Sequence, residues 1–147
     1  MTVECDGAAR GNPGPAGVGV VVSGADGEVL ATIAEGIGET TNNVAEYTAA
    51  IEGLRRAADL GATDVLLRSD SRLLIEQLAG RYRVKNERLR ELHAAARRLA
   101  AAFQTIAYEH VPRERNARAD ALANEGVDDW LAAGRPAWRQ TPDVLEP

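Results

Sequence analysis

Four acids fall where an α/β chain places chemistry: Asp6, Glu46, Asp70 and Asp120. Asp6 follows a short strand-like run and opens a turn rich in Gly and Pro. Asp70 comes directly after the apolar run DVLLRS, at the carboxyl end of a predicted strand, where ligands of open α/β sheets bind. Glu46 stands at the start of an amphipathic helix, and Asp120 lies in the first turns of the last helix. Carboxylates with no accompanying Cys or His cluster make a hard, all-oxygen ligand set, which suits Mg²⁺ or Mn²⁺ and not zinc. Each acid also has a plainer reading. Asp6 is a common turn residue. Glu46 stands three residues after Asn43, the spacing of a capping pair. Asp70 could cap the helix behind it, and Asp120 could answer its helix dipole.

The elements that must position these acids follow from periodicity. Val3 and Cys5 share one face of a first strand, Thr2 to Asp6, with Thr2, Glu4 and Asp6 on the other. A turn is expected from Gly7 to Gly17. Val18 to Ser23 is strongly β-forming, Ala25-Asp26-Gly27 makes a hairpin turn, and Val29 to Ile37 returns as a less hydrophobic, edge-like strand. The opening is thus a three-stranded antiparallel meander. A helix from about Asn43 to Leu60 carries Val44, Tyr47, Ile51, Leu54 and Ala58 on one stripe and stops at Gly61. Then come a strand (Asp64 to Ser69), a helix (Ser71 to Ala79) and an Ala-rich helix (Glu87 to Phe103). A strand (Thr105 to Val111) and a last helix (Ala117 to Leu131) follow, with Asn116 as its expected cap. Strands separated by helices pair in parallel through crossovers, so the expectation is a mixed sheet with helices on its faces.

Composition narrows the class. The chain has 147 residues, 45% hydrophobic and 27% charged, enough for one domain with a real core. No apolar run is long enough to span a bilayer, and no signal peptide is visible at the N-terminus. Cys5 is the single cysteine, expected as a reduced, buried thiol. A cytoplasmic setting follows. Net charge is −5, yet Arg and Lys cluster in RYRVKNERLR (81–90) and again at Arg113, Arg115 and Arg118, just before Asp120. Distribution decides nucleic-acid binding more than the total does. From Ala132 onward the periodicity is lost. The domain is expected over 1–131, and 132–147 reads as a disordered tail or as a linker to a further domain.

In this order the segments DGAARGNPGPAGVGVVV, TTNNVAEYTAAIEGL, RSDSRLLIEQL and HVPRERNARADALAN resemble the successive motifs of the type 1 ribonuclease H family, over about Val3 to Trp130. The resemblance implies a five-stranded mixed sheet of order 3-2-1-4-5 with helices on both faces. It implies a Mg²⁺-dependent endonuclease that cuts the RNA strand of an RNA–DNA hybrid and leaves 5′-phosphate and 3′-hydroxyl ends. Asp6, Glu46, Asp70 and Asp120 match the family's four catalytic acids, which hold two ions (Mn²⁺ can substitute). By that likeness Asp6 bridges both ions, and Asp120 helps hold the one that activates water. Glu46 and Asp70 hold the one facing the leaving oxygen. Clustered positive charge is what in-line displacement at a polyanion needs. The same resemblance puts Gly7, Asn12, Thr41, Asn42, Asn43 and Arg72 against the substrate.

The chain departs from many relatives in three places. The loop before the last acid reads PRERN and lacks their His, so Arg113, Glu114 and His110 stand as alternatives for assisting turnover, with Arg113 preferred. Arg72 occupies a position often held by Gln. The segment between the middle helices is short and lacks a Trp- and Lys-rich protrusion, so weak grip on the hybrid is expected. A monomer is expected. The rivals are a non-catalytic nucleic-acid-binding module, which the full set of acids disfavours, and an integrase-like or junction nuclease, which TTNNVAEY and ADALAN disfavour. A structural Ca²⁺ domain lacks an EF-hand pattern.

Overall fold

The computed structural model describes residues 1–138. The elements run β1 (Thr2–Ala9), β2 (Gly14–Ser23), β3 (Val29–Thr40), α1 (Asn42–Asp59), β4 (Asp64–Ser69), α2 (Arg72–Leu78), α3 (Glu87–Ala100), β5 (Thr105–His110), a 3₁₀ turn (Arg113–Arg115) and α4 (Ala117–Ala132). They form one five-stranded sheet of order β3-β2-β1-β4-β5, as expected. β1 and β2, and β2 and β3, pair antiparallel. β4 pairs in parallel with both β1 and β5. No helix among the described residues is long and apolar enough to cross a membrane.

Strand alternation divides the first hairpin between two helices. Val3, Cys5, Val18, Val20 and Val22 point to one face and pack with Tyr47, Ile51 and Leu54 of α1. Burying each of the larger side chains contributes about 1.5–3 kcal/mol. On the other face lie Asp6, Gly17 and Gly19, under α4 and its buried stripe of Ala119, Ala123, Val127 and Trp130. A Cβ on Gly19 would sit 2.0 Å from the Ala119 carbonyl oxygen, and one on Gly17 would sit 2.4 Å from that of Ala123. α4 therefore rests on bare backbone.

Four local expectations are corrected. The predicted 7–17 turn is mostly strand: only residues 10–13 lie between β1 and β2, because Gly7 and Gly17 are ladder residues placed for close helix approach. Thr41, not Asn43, caps α1; its Oγ1 accepts the Val44 N–H at 3.3 Å. Ala57 faces the core where Ala58 was expected, since α1 buries a band too wide for a single stripe. Asn116 stands at the N-cap position of α4 but makes no side-chain cap bond.

α4 extends one residue beyond the expected Leu131. The chain then turns back, with the Trp130 indole donating to the Pro136 carbonyl at 2.7 Å and Arg135 pairing with Glu39 of β3 at 3.0 Å. The rest of the expected tail, 139–147, lies outside the described residues.

Candidate functional site

The site forms where β1 outruns β4. Parallel pairing between them ends at Glu4 and Arg68, while β1 continues to Ala9. Backbone groups beyond that point lose their strand partner and need another. Side chains supply it. Glu46 accepts the Gly7 N–H, and the Asn116 amide donates to the Cys5 carbonyl at 3.0 Å. The gap between the diverging strands is thus spanned from the start by polar side chains.

Asp6, Glu46 and Asp70 each bring a carboxylate oxygen to within 4.8 Å of the others. The Asp120 carboxyl completes the set, within hydrogen-bonding reach of Asp6. Asp6 is 5% exposed. Burial first, then the charges of Glu46 and Asp70, push its carboxyl from 3.8 up to about 9. Burial likewise raises Glu46 from 4.5 to about 8, against the lowering effect of the Gly7 N–H. Such crowding of like charge is unfavourable without a cation and favourable around one. Hard oxygens converging on one point, with no Cys or His in the set, fit a divalent Mg²⁺- or Mn²⁺-type ion.

The plainer readings of two acids fall on local geometry. Asp70 does not cap α2: Ser71 does, accepting the Leu74 N–H at 3.2 Å. Glu46 is not part of a capping pair, because Thr41 holds that place and the Glu46 carboxylate is turned to β1. Asp120 does lie in the first turn of its helix, so a dipole contribution coexists with its place beside Asp6. Cys5, directly behind Asp6, is a buried free thiol whose Sγ donates weakly to the Arg68 carbonyl at 3.6 Å.

An open cleft of about 540 Å³ covers the acids, lined also by Gly7, Arg10, Asn42, Asn43, Ser71, Arg113 and Asn124. Gly7 is there for space: a Cβ would meet the Ala45 carbonyl carbon at 2.2 Å, and its N–H is already used by Glu46. Asn12 and Asn42 are locked to the scaffold through their oxygens, Asn12 accepting the Asn42 N–H at 3.0 Å and Asn42 the Ala9 N–H at 2.9 Å. Among the described residues both amide NH₂ groups are without a protein partner and can donate outward. Asn43 is exposed on the cleft wall, while Thr41 stands behind it as the helix cap. Arg72 is exposed on the first turn of α2, outside the cleft lining. Of the three alternatives in the last loop, Arg113 reaches the cleft; Glu114 and His110 do not, and the His110 ring donates instead to the Asp70 carbonyl at 3.2 Å.

Arg10 and Asn124 were not singled out by sequence. Arg10 pairs with Asp128 at 2.7 Å and reaches Asn124, whose amide donates to the Asp120 carbonyl. The signal for Asn124 was its spacing of four from Asp120, which puts both on one helix face. Arg10 had no comparable signal, because its partners are on α4.

The reverse transcriptase-like family model matches residues 4–126. Ribonuclease H of Chromohalobacter salexigens is 37% identical, the match covering 93% of this chain and 90% of that protein. The N-terminal RNase H domain of a Mycobacterium tuberculosis protein, solved as a fusion with maltose binding protein, is 51% identical with a TM-score of 0.85, covering 86% of this chain and 98% of that one. LC11-RNase H1, solved in complex with an RNA/DNA hybrid, is 42% identical with a TM-score of 0.84, covering 88% and 98%. The chain spans 35% of the length of a bifunctional Mycobacterium tuberculosis protein that it matches at 50% identity, and 62% of Halobacterium salinarum ribonuclease HI.

Proposed function

The chain belongs to the type 1 ribonuclease H family, and on that premise we propose that it hydrolyses the RNA strand of RNA–DNA hybrids with the help of divalent metal ions. The observation that carries this reading is the convergence of Asp6, Glu46 and Asp70 oxygens within 4.8 Å, with Asp120 beside Asp6, under an open cleft.

Asp6, Glu46, Asp70 and Asp120 would hold the Mg²⁺ ions through their carboxylates. Such ions supply a nucleophilic water at neutral pH and neutralise charge on the phosphate. The protein's own groups do the rest. Gly7 and Asn116 fix the walls that carry Glu46 and Asp120. Arg113 brings a permanent cation to the cleft, where it can take a phosphate oxygen pair. Asn12 and Asn42, oriented by their locked oxygens, present donors suited to a sugar hydroxyl, and the 2′-hydroxyl is the group that separates RNA from DNA. Asn43 lines the same cleft, with Thr41 behind it and Arg72 exposed beyond the lining as a more peripheral candidate contact. We assign the products as 5′-phosphate and 3′-hydroxyl ends.

The test is an end-labelled hybrid with and without Mg²⁺, products sized on a gel, beside a DNA duplex of the same sequence. The RNA strand should be cut only with the metal, and the DNA duplex should survive. Equal cutting of both duplexes would overturn the RNA-strand assignment.

A further inference from the structure

Asn116 is 1% exposed, and its side-chain Oδ1 is buried with no hydrogen-bond partner. An unpaired buried carbonyl carries a stability cost that an apolar residue of the same shape would avoid. Asn116 also forgoes the usual benefit of its position, since Asn at an N-cap normally accepts a backbone N–H of the first turn and this one makes no such bond.

Its other groups join three segments of the site. The amide Nδ2 donates to the Cys5 carbonyl at 3.0 Å, one residue before Asp6. The backbone N–H donates to the Arg113 carbonyl at 2.9 Å, and the backbone carbonyl accepts the Asp120 N–H at 3.0 Å. One buried residue therefore touches the segments carrying Asp6, Arg113 and Asp120. The packing of α4 on the glycines of β2 brings the helix close, but apolar contact is non-directional and leaves sliding along the sheet weakly resisted. A hydrogen bond has a preferred distance and angle.

We propose that Asn116 is a positioning residue that sets Asp120 against Asp6, so that the cation site keeps its spacing; it touches neither substrate nor ion. This rests on the proposed hydrolytic function only for its kinetic readout. Metal-ligand groups held by outer partners lose about 10–100-fold in affinity or activity when those partners are removed.

The experiment compares wild type with Asn116→Leu, which keeps the approximate shape and removes both the donor and the orphaned acceptor. Three quantities are read: thermal midpoint without metal, Mg²⁺ and Mn²⁺ affinity by calorimetry without substrate, and kcat and KM on hybrid. The expected result is a midpoint close to wild type, because the orphaned Oδ1 is removed while the Cys5 carbonyl loses its donor, with metal affinity lowered about 10-fold or more and kcat lowered with KM within about twofold. Wild-type metal affinity in a folded Asn116→Leu protein would overturn the proposal. So would a loss of kcat accompanied by an equal loss of thermal stability and no change in metal affinity. Should the Leu variant fail to fold, Asn116→Ala, which removes the donor without adding bulk, is read against the same criteria. If the wild type binds metal but cleaves no hybrid, the hydrolytic reading fails while the affinity comparison still decides the role of Asn116.

Discussion

On the β1–β3 side of the sheet, α4 lies against bare backbone: added Cβ atoms at Gly17, Gly19, Gly36 and Gly126 would all fall within 2.6 Å of neighbouring atoms. On the β4–β5 side, β5 is a largely exposed edge strand, and a groove of about 740 Å³ lies open between it, α2 and α3, lined by Leu78, Ala101, Ile106 and Tyr108 among others. That groove is larger than the cleft over the acids, yet no acid lines it. Three of the four acids (Asp6, Glu46 and Asp120) ride on the tight side or the helices packed on it. The basic segment 81–86 rides on the open side. On the proposed function, three of the four carboxylates that would hold the ions sit against close-packed backbone, while Asp70 and the basic segment that would meet the polyanion sit on the more open side.

The largest effect should come from the tight side. Asp6→Asn should lower Mg²⁺-dependent cleavage by at least about 100-fold, since it removes the most buried charge of the proposed metal site. The same variant should raise the metal-free thermal midpoint, because a buried carboxylate crowded by like charges is relieved. A lowered midpoint would show that Asp6 serves the fold as well.

Backbone contact is tested next. Gly19→Ala places a Cβ 2.0 Å from the Ala119 oxygen and should cost about 2–3 kcal/mol, a fall of roughly 5–10 °C in midpoint, with activity falling further as Asp120 is displaced. Ile106→Ala, beside the open groove, should cost only about 1 kcal/mol. Equal losses from the two would erase the distinction between the sides.

The acids also set a pH dependence. Both Asp6 and Glu46 bind protons more tightly folded than unfolded, so their contribution to the stability of the metal-free fold is greatest at the acid end. That contribution is lost as pH rises from about 4 and levels off past about 8 to 9. A divalent ion cancels that loss. The midpoint gained on adding Mg²⁺ should therefore grow across this window in differential scanning calorimetry, and a gain that shrinks with pH would contradict the buried-charge account.

The smallest effects belong to the open side. Arg81 is held by Glu76 through two bonds, at 2.7 and 2.8 Å, whereas Arg83 and Lys85 have no side-chain partner among the described residues. Neutralising Arg83 and Lys85 should raise KM a few-fold and flatten its salt dependence with kcat nearly unchanged, and adding Arg81 to the set should do little more. An unchanged KM and salt slope would reduce the segment to a solvated connection.

These contrasts also separate what the sequence revealed from what it hid. Strand β4 and the start of α3 were readable residue for residue, because local periodicity and the flanking Gly and Asn residues mark them. The acids were singled out for their places near element ends and for the family resemblance. Asp6, Glu46 and Asp70 do converge, although Asp6 lies inside β1, which runs on to Ala9, and not at its end. Hidden features depend on partners distant in sequence. Gly7 and Gly17 read as turn residues, since nothing local says that helices will press on them. Asn116 read as a cap, because its true partner, Cys5, lies 111 positions away. Arg81 read as free for a substrate, though Glu76 was only five residues off, because pairing across the end of α2 depends on how the chain leaves the helix.

Strand-resolved cleavage by Asp70→Asn tests the central claim most directly. Asp70 neither caps its helix nor lies deep in the core, so the variant should fold normally. With hybrid labelled separately on each strand and Mg²⁺ in excess, wild type should cut RNA alone. A folded Asp70→Asn protein should retain no more than about 1% of that rate. Near-normal, Mg²⁺-dependent cutting by Asp70→Asn would contradict the assignment of these acids as the site.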